Sequence, residues 1–474
     1  MARKEMHVDV AIIGAGTAGL NALREVKKAG KSFLLIDHGP LGTTCARVGC
    51  MPSKAVLHAG GLWQGEFGID HGEQASPMAT YKANQLWCAA RSTRDMLAGG
   101  AAKRTVAAAE EHLLIGHAQF VAPGIVDVDG TRVSADAFVI ATGSEPVVPA
   151  FLEALQDKVL TTDTLFELDA LPRTIGVLGL GAIGLEISLA LSRLGVRVVA
   201  GDLRSAPAGI VDPEIALKAT QHFLSSPNLT MWLGRMIDVT REGDRLVFSN
   251  GQDTERVDCL LAALGRQPAV RTLRLDKAGI ALDTNGQPII DRNSMRAGGS
   301  ALYFAGDIDP NRPLMHEAAD EGAIAGFNAA HHAASHRFRR RTALSIVFSD
   351  PDIAAVGVPF DQLELEDVVI GSASGASNGR SRILGAEYGM VRIYAQRGSG
   401  TLLGASVFSE RGEHLTHLLA CGIQFGVTAQ QMLELPFYHP TMEEMVQSAL
   451  QDIVKQQGGS DDSLAGLPLL DRPY

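Results

Sequence analysis

The chain has 474 residues with a formal net charge of −11, 51 glycines and 5% aromatic residues. This length predicts two to four domains with an ample core, and the acidic balance, with no basic run longer than residues 339–341, argues against a nucleic-acid partner. Five cysteines are too few for a secreted disulfide scaffold and no apolar run could span a bilayer, so we expect a cytoplasmic enzyme.

The chain opens with a pattern typical of a dinucleotide-binding βαβ unit. An apolar stretch at residues 8–13 predicts a buried parallel strand, and a helical stretch and a second strand, ending at Asp37, follow. The turn between the first strand and the helix carries three glycines in GxGxxG spacing, Gly14, Gly16 and Gly19. Such glycines let the backbone approach a pyrophosphate at the helix N-terminus, and the acid binds a ribose hydroxyl.

Two cysteines follow this unit, Cys45 and Cys50, with Lys54 four residues further on. In a regular helix residues i and i+5 lie roughly 8–9 Å apart, whereas a disulfide needs Cα atoms within about 7 Å. Either the turn is distorted or Cys45 lies at the helix entry, and such geometry suits a reactive bridge. Lys54 shares a helix face with Cys50, and a nearby cation favours a thiolate. The spacing alone also allows two structural cysteines that happen to be close.

The next segment predicts a helix and then short strands. Residues 81–112 have helical periodicity, a strand opens near Ala118, and residues 126–133 alternate around a glycine like a hairpin. The strand at residues 138–140 leads into Thr142 and Gly143. Three further cysteines, Cys88, Cys259 and Cys421, have apolar sequence neighbours, and we expect them to be buried thiols.

The glycine pattern then returns as Gly179, Gly181 and Gly184, with Asp202 just beyond the following strand at residues 196–200. Each first glycine precedes its acid by 23 residues, and the unit repeats at an offset of 165 residues. Two such units imply two nucleotides. Asp202 would bond a free 2′-hydroxyl and repel a 2′-phosphate, which favours NAD over NADP, although Arg204 follows closely.

The C-terminal part, from residue 346, has an α+β pattern with a helix at residues 412–422, and residues 458–474 predict a loose tail. His439 and Pro440 are predicted to lie at a helix start, with Glu443 and Glu444 in its first turn. A lone histidine before a helix is most often a cap or a surface residue.

These motifs occur in the order found in the FAD-dependent pyridine nucleotide–disulfide oxidoreductases, which nearly the whole chain resembles. The Cys-x4-Cys-x-Pro-Ser-Lys segment ending at Lys54 and the segment from His316 to Gly322 are most similar to the dihydrolipoamide dehydrogenases. The resemblance implies an α/β fold with two Rossmann-like dinucleotide-binding domains plus a C-terminal α+β dimerisation domain. The implied domains are 1–148 with 270–345 for FAD, 149–269 for NAD and 346–474 for dimerisation.

The resemblance also implies which residues bind the two nucleotides, with FAD in the first unit and NAD as co-substrate in the second. The implied FAD residues are Gly14, Gly16, Gly19, Asp37, Gly42, Thr43, Thr44, Lys54, Ala118, Thr142, Gly143, Asp307, Met315 and His316. The implied NAD residues are Gly179, Gly181, Gly184, Glu186, Asp202 and Gly265. No metal is implied.

By the family's division of labour, Cys45 meets the substrate and Cys50 faces the flavin. His439 matches the family's His-Pro-Thr-x-x-Glu motif, which implies an acid–base acting on the other subunit's disulfide, with Glu444 orienting it. The resemblance therefore implies a homodimer with shared active sites that oxidises the dihydrolipoyl group of a lipoyl domain and reduces NAD⁺. Lys54 and Glu186 match an ion pair near the flavin, and an ordinary salt bridge is the alternative.

Some positions depart from the family patterns. Phe437 stands where dihydrolipoamide dehydrogenases usually carry another histidine, and Ala323 where glutathione reductases place an arginine. Arg24 lies where glutathione reductases hold a substrate-binding arginine, so a reductase of glutathione or another small disulfide is the alternative enzyme. No cysteine follows Cys421, which disfavours mercuric reductase, and Cys45 disfavours a soluble transhydrogenase. A flavoprotein serving mainly as a structural subunit of a multienzyme complex is the other alternative.

Overall fold

A computed structural model of the chain describes residues 5–67, 77–458 and 467. Of the predicted tail at 458–474, all but residues 458 and 467 lie outside this description. The packing divides the chain into two compact units. Unit 1 comprises Met1–Ala59, Tyr81–Leu171 and Leu264–Arg340, and unit 2 comprises Gly60–Thr80, Pro172–Ala263 and Arg341–Tyr474.

The helices and strands follow one another closely along the chain. The first segment contains β1 Glu5–Ile13, α1 Thr17–Lys28, β2 Phe33–Asp37, α2 Thr44–Arg47, α3 Cys50–Phe67, α4 Pro77–Ala109, β3 Leu113–Ile115, β4 Ala118–Ala122, β5 Ile125–Val128, β6 Thr131–Ile140, β7 Ser144–Pro146, β8 Val159–Leu160 and α5 Thr162–Leu165. The second contains β9 Thr174–Leu178, α6 Ala182–Arg193, β10 Arg197–Asp202, α7 Pro213–Leu224, β11 Leu229–Leu233, β12 Asp238–Glu242, β13 Arg245–Ser249, β14 Thr254–Val257 and β15 Cys259–Ala262. The third contains β16 Arg266–Pro268, β17 Ile290–Asp291, β18 Arg296–Ala297, β19 Leu302–Phe304 and α8 Met315–Ala330. The last contains β20 Leu344–Val347, β21 Asp352–Gly357, β22 Val368–Ser374, α9 Gly379–Leu384, β23 Met390–Gln396, β24 Leu402–Ser409, α10 Gly412–Gln424, α11 Ala429–Met432 and α12 Glu444–Gln456.

Unit 1 is built on a sheet whose strand order is β17-β18-β19-β6-β1-β2-β3, with β4 and β5 joined beside β6. β1 pairs in parallel with both β2 and β6. Its apolar run is buried on both faces, as expected for a central parallel strand. Ile13 aligns with Ile36 on β2 and with Ile140 on β6, so the turns that follow these strands meet at one edge of the sheet.

Unit 2 contains a parallel sheet and two antiparallel ones. In the first, β11, β10, β9 and β15 are neighbours in that order, and each pairing with β9 or β10 is parallel. Strands β12, β13 and β14 form a separate antiparallel sheet. The C-terminal sheet has the order β20-β21-β24-β23-β22 and packs against α10 and α12. This confirms the predicted architecture of two dinucleotide-binding folds followed by an α+β region.

A buried polar cluster joins α7 to β23 within unit 2. Asp212 caps α7 and is fully buried; its carboxylate accepts a hydrogen bond from Tyr394 Oη at 2.6 Å and pairs with Arg392 Nε at 2.9 Å. Burial and the charge of Asp212 raise the pKa of Tyr394 above its ordinary range. Arg392 Nη1 also pairs with Glu214 in the first turn of α7. Removing Arg392 would therefore leave the buried Asp212 carboxylate without its cation.

The expectation for the remaining cysteines was wrong. Cys88 and Cys421 are exposed, and Cys259 is half-buried. On α4, Trp87 and Ala90 occupy the buried face, and the helical rotation of about 100° per residue turns Cys88 outward. Apolar neighbours in sequence therefore did not indicate a buried thiol, because they pack on another face of the helix.

Two predicted boundaries also shift. Asp202 is the last residue of β10 rather than lying beyond the strand. The helix expected to start at His439 and Pro440 begins at Glu444, and the Thr441 N–H donates to the Glu444 carboxylate at 3.0 Å before it. Among the described residues, no helix combines the length and apolar composition that a membrane span requires.

Candidate active site

The two glycine-rich turns have the same local geometry. Gly14 has φ +107° and the N–H of the next residue, Ala15, donates to Asp37 Oδ2 at 2.6 Å. In unit 2, Gly179 has φ +90° and the Leu180 N–H donates to Asp202 Oδ2 at 2.6 Å. Each acid thus holds its own glycine turn with one carboxylate oxygen. The other oxygen accepts from the backbone N–H two residues further on, that of Gly39 or Arg204. The repeat predicted from sequence is therefore a repeat of hydrogen bonds as well as of residue types.

The glycines of the first turn differ in what they make room for. A Cβ on Gly19 would lie 1.8 Å from the Gly14 carbonyl oxygen, so only glycine lets α1 pack this closely on the turn. A Cβ on Gly16 would meet nothing within 4 Å, which leaves the face at the start of the 12-residue α1 open. An open backbone face at a helix N-terminus fits an anionic pyrophosphate.

We expect Gly19→Ala to unfold unit 1 and Gly16→Ala to keep it folded. The first substitution forces backbone against backbone and should cost about 3 kcal/mol or more of the free energy of unfolding. The second changes only the open face, so it should weaken FAD retention with little change in melting temperature. Thermal unfolding of apoprotein, measured with FAD titration, separates the two effects; equal melting temperatures for both variants would contradict the packing argument.

The surroundings of the first turn fit a flavin nucleotide. Thr142 Oγ1 is buried and finds no hydrogen-bond partner among the described residues, so it has unused capacity towards a ligand. Ser144 Oγ donates to Asp307 Oδ2 at 3.2 Å, which orients a carboxylate that the family resemblance implies as an FAD ligand. Arg266 Nε donates to Ser144 Oγ at 2.8 Å, an orienting contact that the sequence analysis missed.

Arg204 lies directly against the acid of the second turn. Its backbone N–H donates to Asp202 Oδ1 at 2.8 Å, and its guanidinium Nη2 is 3.4 Å from Asp202 Oδ2. Asp202 is buried, whereas 59% of the Arg204 side chain is exposed. The guanidinium therefore offsets part of the negative charge that would repel a 2′-phosphate.

The two cysteines predicted to be redox-active, Cys45 and Cys50, lie on two separate helices. Cys45 is in the short helix α2, and α3 starts at Cys50, so the chain turns between them instead of continuing as one regular helix. Thr43, which caps α2, has φ +60° and ψ +145°, a region in which a β-branched residue is strained. Both cysteines are in the reduced, thiol form in this structure. The predicted bridge between them stays a prediction.

The Cys45 thiol is held protonated by its surroundings. A hydrogen bond with Cys50, burial and the charge of Cys50 raise the pKa of Cys45 far above its ordinary value. The charge of Lys54 acts in the opposite direction but is a smaller effect. The Cys45 thiol also donates to the thioether of Met315 across 3.9 Å. Two thiols in contact can be oxidised to a disulfide, with loss of two electrons and two protons, and reduced back again.

His439 and Glu444 form a base–orienter pair in unit 2. His439 Nδ1 lies 3.0 Å from Glu444 Oε1, and 76% of the histidine side chain is exposed. Burial alone would raise the pKa of Glu444, but hydrogen bonds from His439 and the Thr441 N–H lower it overall. An ionised carboxylate accepts only, so Nδ1 carries the hydrogen and Nε2 is the basic nitrogen that faces outward.

The predicted site residues are thus distributed over both units. Cys45, Cys50 and Met315 come together in unit 1, and His439 with Glu444 in unit 2. Glu186, on α6 of unit 2, is buried and accepts the Phe348 N–H at 3.0 Å. Its pairing with Lys54 near a flavin stays a prediction.

Comparisons with known proteins identify the family and the fold. A family model described as pyridine nucleotide-disulphide oxidoreductase matches residues 8–322, and the model of that family's dimerisation domain matches residues 344–450. The chain is 28% identical over 460 residues to a dihydrolipoyl dehydrogenase of Halobacterium salinarum, covering 94% of this chain and 95% of the relative. It is 30% identical over 466 residues to a mercuric reductase of Streptomyces lividans, covering 94% and 95%.

The fold also matches solved structures. The HOCl-induced flavoprotein disulfide reductase RclA from Escherichia coli superposes with a TM-score of 0.79 at 21% sequence identity, covering 93% of this chain and 99% of the other. At that identity the likeness concerns the fold alone. The relatives carry different substrate names, so the family reaction has clearer support than any one substrate.

Proposed function

The chain belongs to the pyridine nucleotide–disulphide oxidoreductases, and from this membership we propose that it oxidises a protein-bound dihydrolipoyl group and reduces NAD⁺. The contact between the Cys45 and Cys50 thiols carries the proposal, because a close dithiol is what exchanges with another dithiol. The His439–Glu444 pair supports it by offering a base for a thiol proton. Several relatives are named dihydrolipoyl dehydrogenase.

In the proposed reaction, His439 Nε2 takes a proton from one substrate thiol, since the thiolate is the nucleophile. The thiolate attacks Cys45 Sγ in the oxidised pair, forms a mixed disulfide and releases Cys50 as a thiolate. The second substrate thiol then attacks, as its thiolate, the substrate sulfur of the mixed disulfide, which closes the substrate into a cyclic disulfide and breaks the bond to Cys45. The proton given up by this thiol ends on the departing Cys45 sulfur, so Cys45 leaves as a thiol. Bound FAD would carry the two electrons from the cysteine pair to NAD⁺. Glu444, ionised near neutral pH, stabilises the histidine when it holds the proton.

We assign FAD to the first glycine-rich turn and NAD to the second, within the domain boundaries predicted from the sequence. The C-terminal region is the proposed dimer contact, through which His439 of the partner subunit would serve each Cys45. A lipoyl domain in the cytoplasm is the proposed source of the substrate. Cys45, which resembles the family's substrate-facing cysteine, and exposed His439 would both be accessible to a lipoyl arm.

We expect NAD⁺ to be preferred over NADP⁺ by about tenfold in kcat/KM, which corresponds to about 1.4 kcal/mol. Asp202 supports this preference, but the neighbouring Arg204 guanidinium limits it. Asp202→Ala should narrow the ratio, and Arg204→Gln should widen it. Steady-state kinetics with both nucleotides checks this; equal use of both by the wild type would mean that Arg204 outweighs the carboxylate.

A direct comparison of substrates tests the proposed function. Purified holoenzyme is assayed with dihydrolipoamide plus NAD⁺ and, in parallel, with glutathione disulfide plus NADPH. Faster turnover with the first pair supports the proposal, whereas faster turnover with the second identifies a reductase of small disulfides. Arg24, which lies where glutathione reductases hold a substrate-binding arginine, gives this alternative its main support. Activity with neither pair would favour a structural flavoprotein subunit.

A further inference from the structure

Met315 brings a third sulfur atom to the cysteine pair. It is the first residue of α8, and its Sδ accepts a hydrogen bond from Cys45 Sγ at 3.9 Å. Met315 is 55% exposed, so it is not a core residue. A thioether sulfur is a weak acceptor and has no hydrogen to donate. The contact is therefore possible only while Cys45 keeps its own hydrogen.

We propose that Met315 is a positioning residue for the cysteine pair: its sulfur accepts the Cys45 S–H hydrogen and so keeps the remaining proton of the reduced pair on Cys45 instead of Cys50. A thiolate at Cys45 would face the lone pairs of the thioether and lose this partner. The use of this effect during turnover rests on the function proposed above.

The other groups that act on Cys45 lie on α3. The hydrogen bond and charge of Cys50, together with burial, raise the pKa of the Cys45 thiol, and the charge of Lys54 lowers it. On α8 the titratable residues next to Met315 are His316, whose side chain is exposed, and Glu317, which is buried and paired with Arg312 and Arg340. Met315 acts in the same direction as Cys50 and against Lys54. Because a thioether does not titrate, its bias is the same at every pH.

This bias gives the two cysteines different roles before any substrate arrives. Cys50 would carry the thiolate of the reduced pair, and Cys45 would stay a neutral, weakly nucleophilic thiol. Cys45 would then react only when a base removes its proton, which couples its reactivity to the arrival of His439. A thiol that waits for its base is also protected from alkylation and oxidation between turnovers.

The test is the pH profile of Cys45 alkylation in Met315→Leu, which keeps a side chain of similar size without the sulfur. Reduced holoenzyme is treated with iodoacetamide under anaerobic conditions between pH 5 and 10, and mass spectrometry of peptides quantifies Cys45 and Cys50 separately. We expect the Cys45 midpoint to fall by about half a pH unit, which makes alkylation near pH 7 about threefold faster. The rate on the high-pH plateau should be unchanged.

Met51→Leu is the matched control, because Met51 is an exposed methionine beside Cys50 on α3. Its Cys45 profile should equal that of the wild type. Met315→Ala gives a second measurement if the leucine variant loses FAD. For this variant only a shift in the pH midpoint of Cys45 alkylation supports the proposal, because a higher rate at high pH would result from easier access of the reagent. An unchanged midpoint in a folded Met315 variant overturns the proposal. Repeating the series on a His439→Ala background, without dihydrolipoamide or NAD⁺, keeps the result independent of the proposed function.

Discussion

Two inactive variants, Cys45→Ser and His439→Ala, should restore about a quarter of the wild-type turnover when their subunits exchange. His439→Ala alone should lose about 10²- to 10⁴-fold in kcat, the usual contribution of a general base. Cys45→Ser should lose disulfide exchange altogether. If each site combines Cys45 of one subunit with His439 of the partner subunit, a heterodimer carries one site with both lesions and one intact site. Equal mixing makes about half of the dimers heterodimers, which gives the expected quarter.

The measurement is dihydrolipoamide oxidation after mixing under conditions that allow exchange, with heterodimers counted by native mass spectrometry. A mixture of Cys45→Ser with Cys50→Ser is the control, because both lesions lie in the same unit and neither heterodimer site is intact. Persistent inactivity of the first mixture, despite heterodimers, would mean that His439 serves its own subunit. Recovery in both mixtures would point to contamination by wild-type protein.

The second large effect concerns the two cysteines separately. Reducing the wild type with two electrons should produce the long-wavelength absorbance of a thiolate beside a flavin. Cys45→Ser should show that absorbance at rest, because Cys50 can no longer form a bridge and remains a thiolate. Cys50→Ser should never show it. Both variants should lose turnover, so the spectrum, and not the activity, distinguishes the two cysteines.

Anaerobic spectra of the three proteins, with FAD content matched, check this prediction. Cys88→Ser serves as control, since Cys88 is an exposed thiol of α4 outside the pair and its loss should leave the spectrum unchanged. Absence of the band in both the reduced wild type and resting Cys45→Ser would remove the assignment of the pair as redox-active. A band in Cys50→Ser would exchange the roles of the two cysteines.

Local sequence signals predicted the nucleotide-binding folds well, because each signal is a constraint between near neighbours. The first glycine turn and Asp37 are held together by one hydrogen bond at the edge of a parallel sheet, and Gly179 with Asp202 repeats it. The sequence spacing between the glycines and the acid therefore predicts this hydrogen bond between the turn and the carboxylate. The helix predicted to start at His439 starts at Glu444 instead. A turn at residues 442–443 precedes it, and hydrophobic periodicity does not predict such a turn.

Contacts between distant residues could not be predicted in this way. Cys45 and Met315 are 270 residues apart in sequence, and no pattern in either segment predicts that their side chains are in contact. The exposure of Cys421 depends on how α10 is rotated against the C-terminal sheet, which its apolar neighbours do not specify. Arg204 was noticed as a nearby charge, but its direct contact with Asp202 follows from the turn after β10. Each of these required the tertiary fold.

The buried cluster of Asp212, Arg392 and Tyr394 has a consequence for dissecting the protein. The dimerisation-domain match begins at residue 344, which suggests a natural place to cut the chain. A fragment cut there would leave Asp212 on one piece without the cation on β23, and an orphaned buried charge costs about 3–5 kcal/mol. The start of the family's dimerisation domain in the sequence therefore does not coincide with a boundary between parts of the chain that unfold independently. Neither fragment should melt as an independent cooperative module, and excised pieces should associate again when mixed.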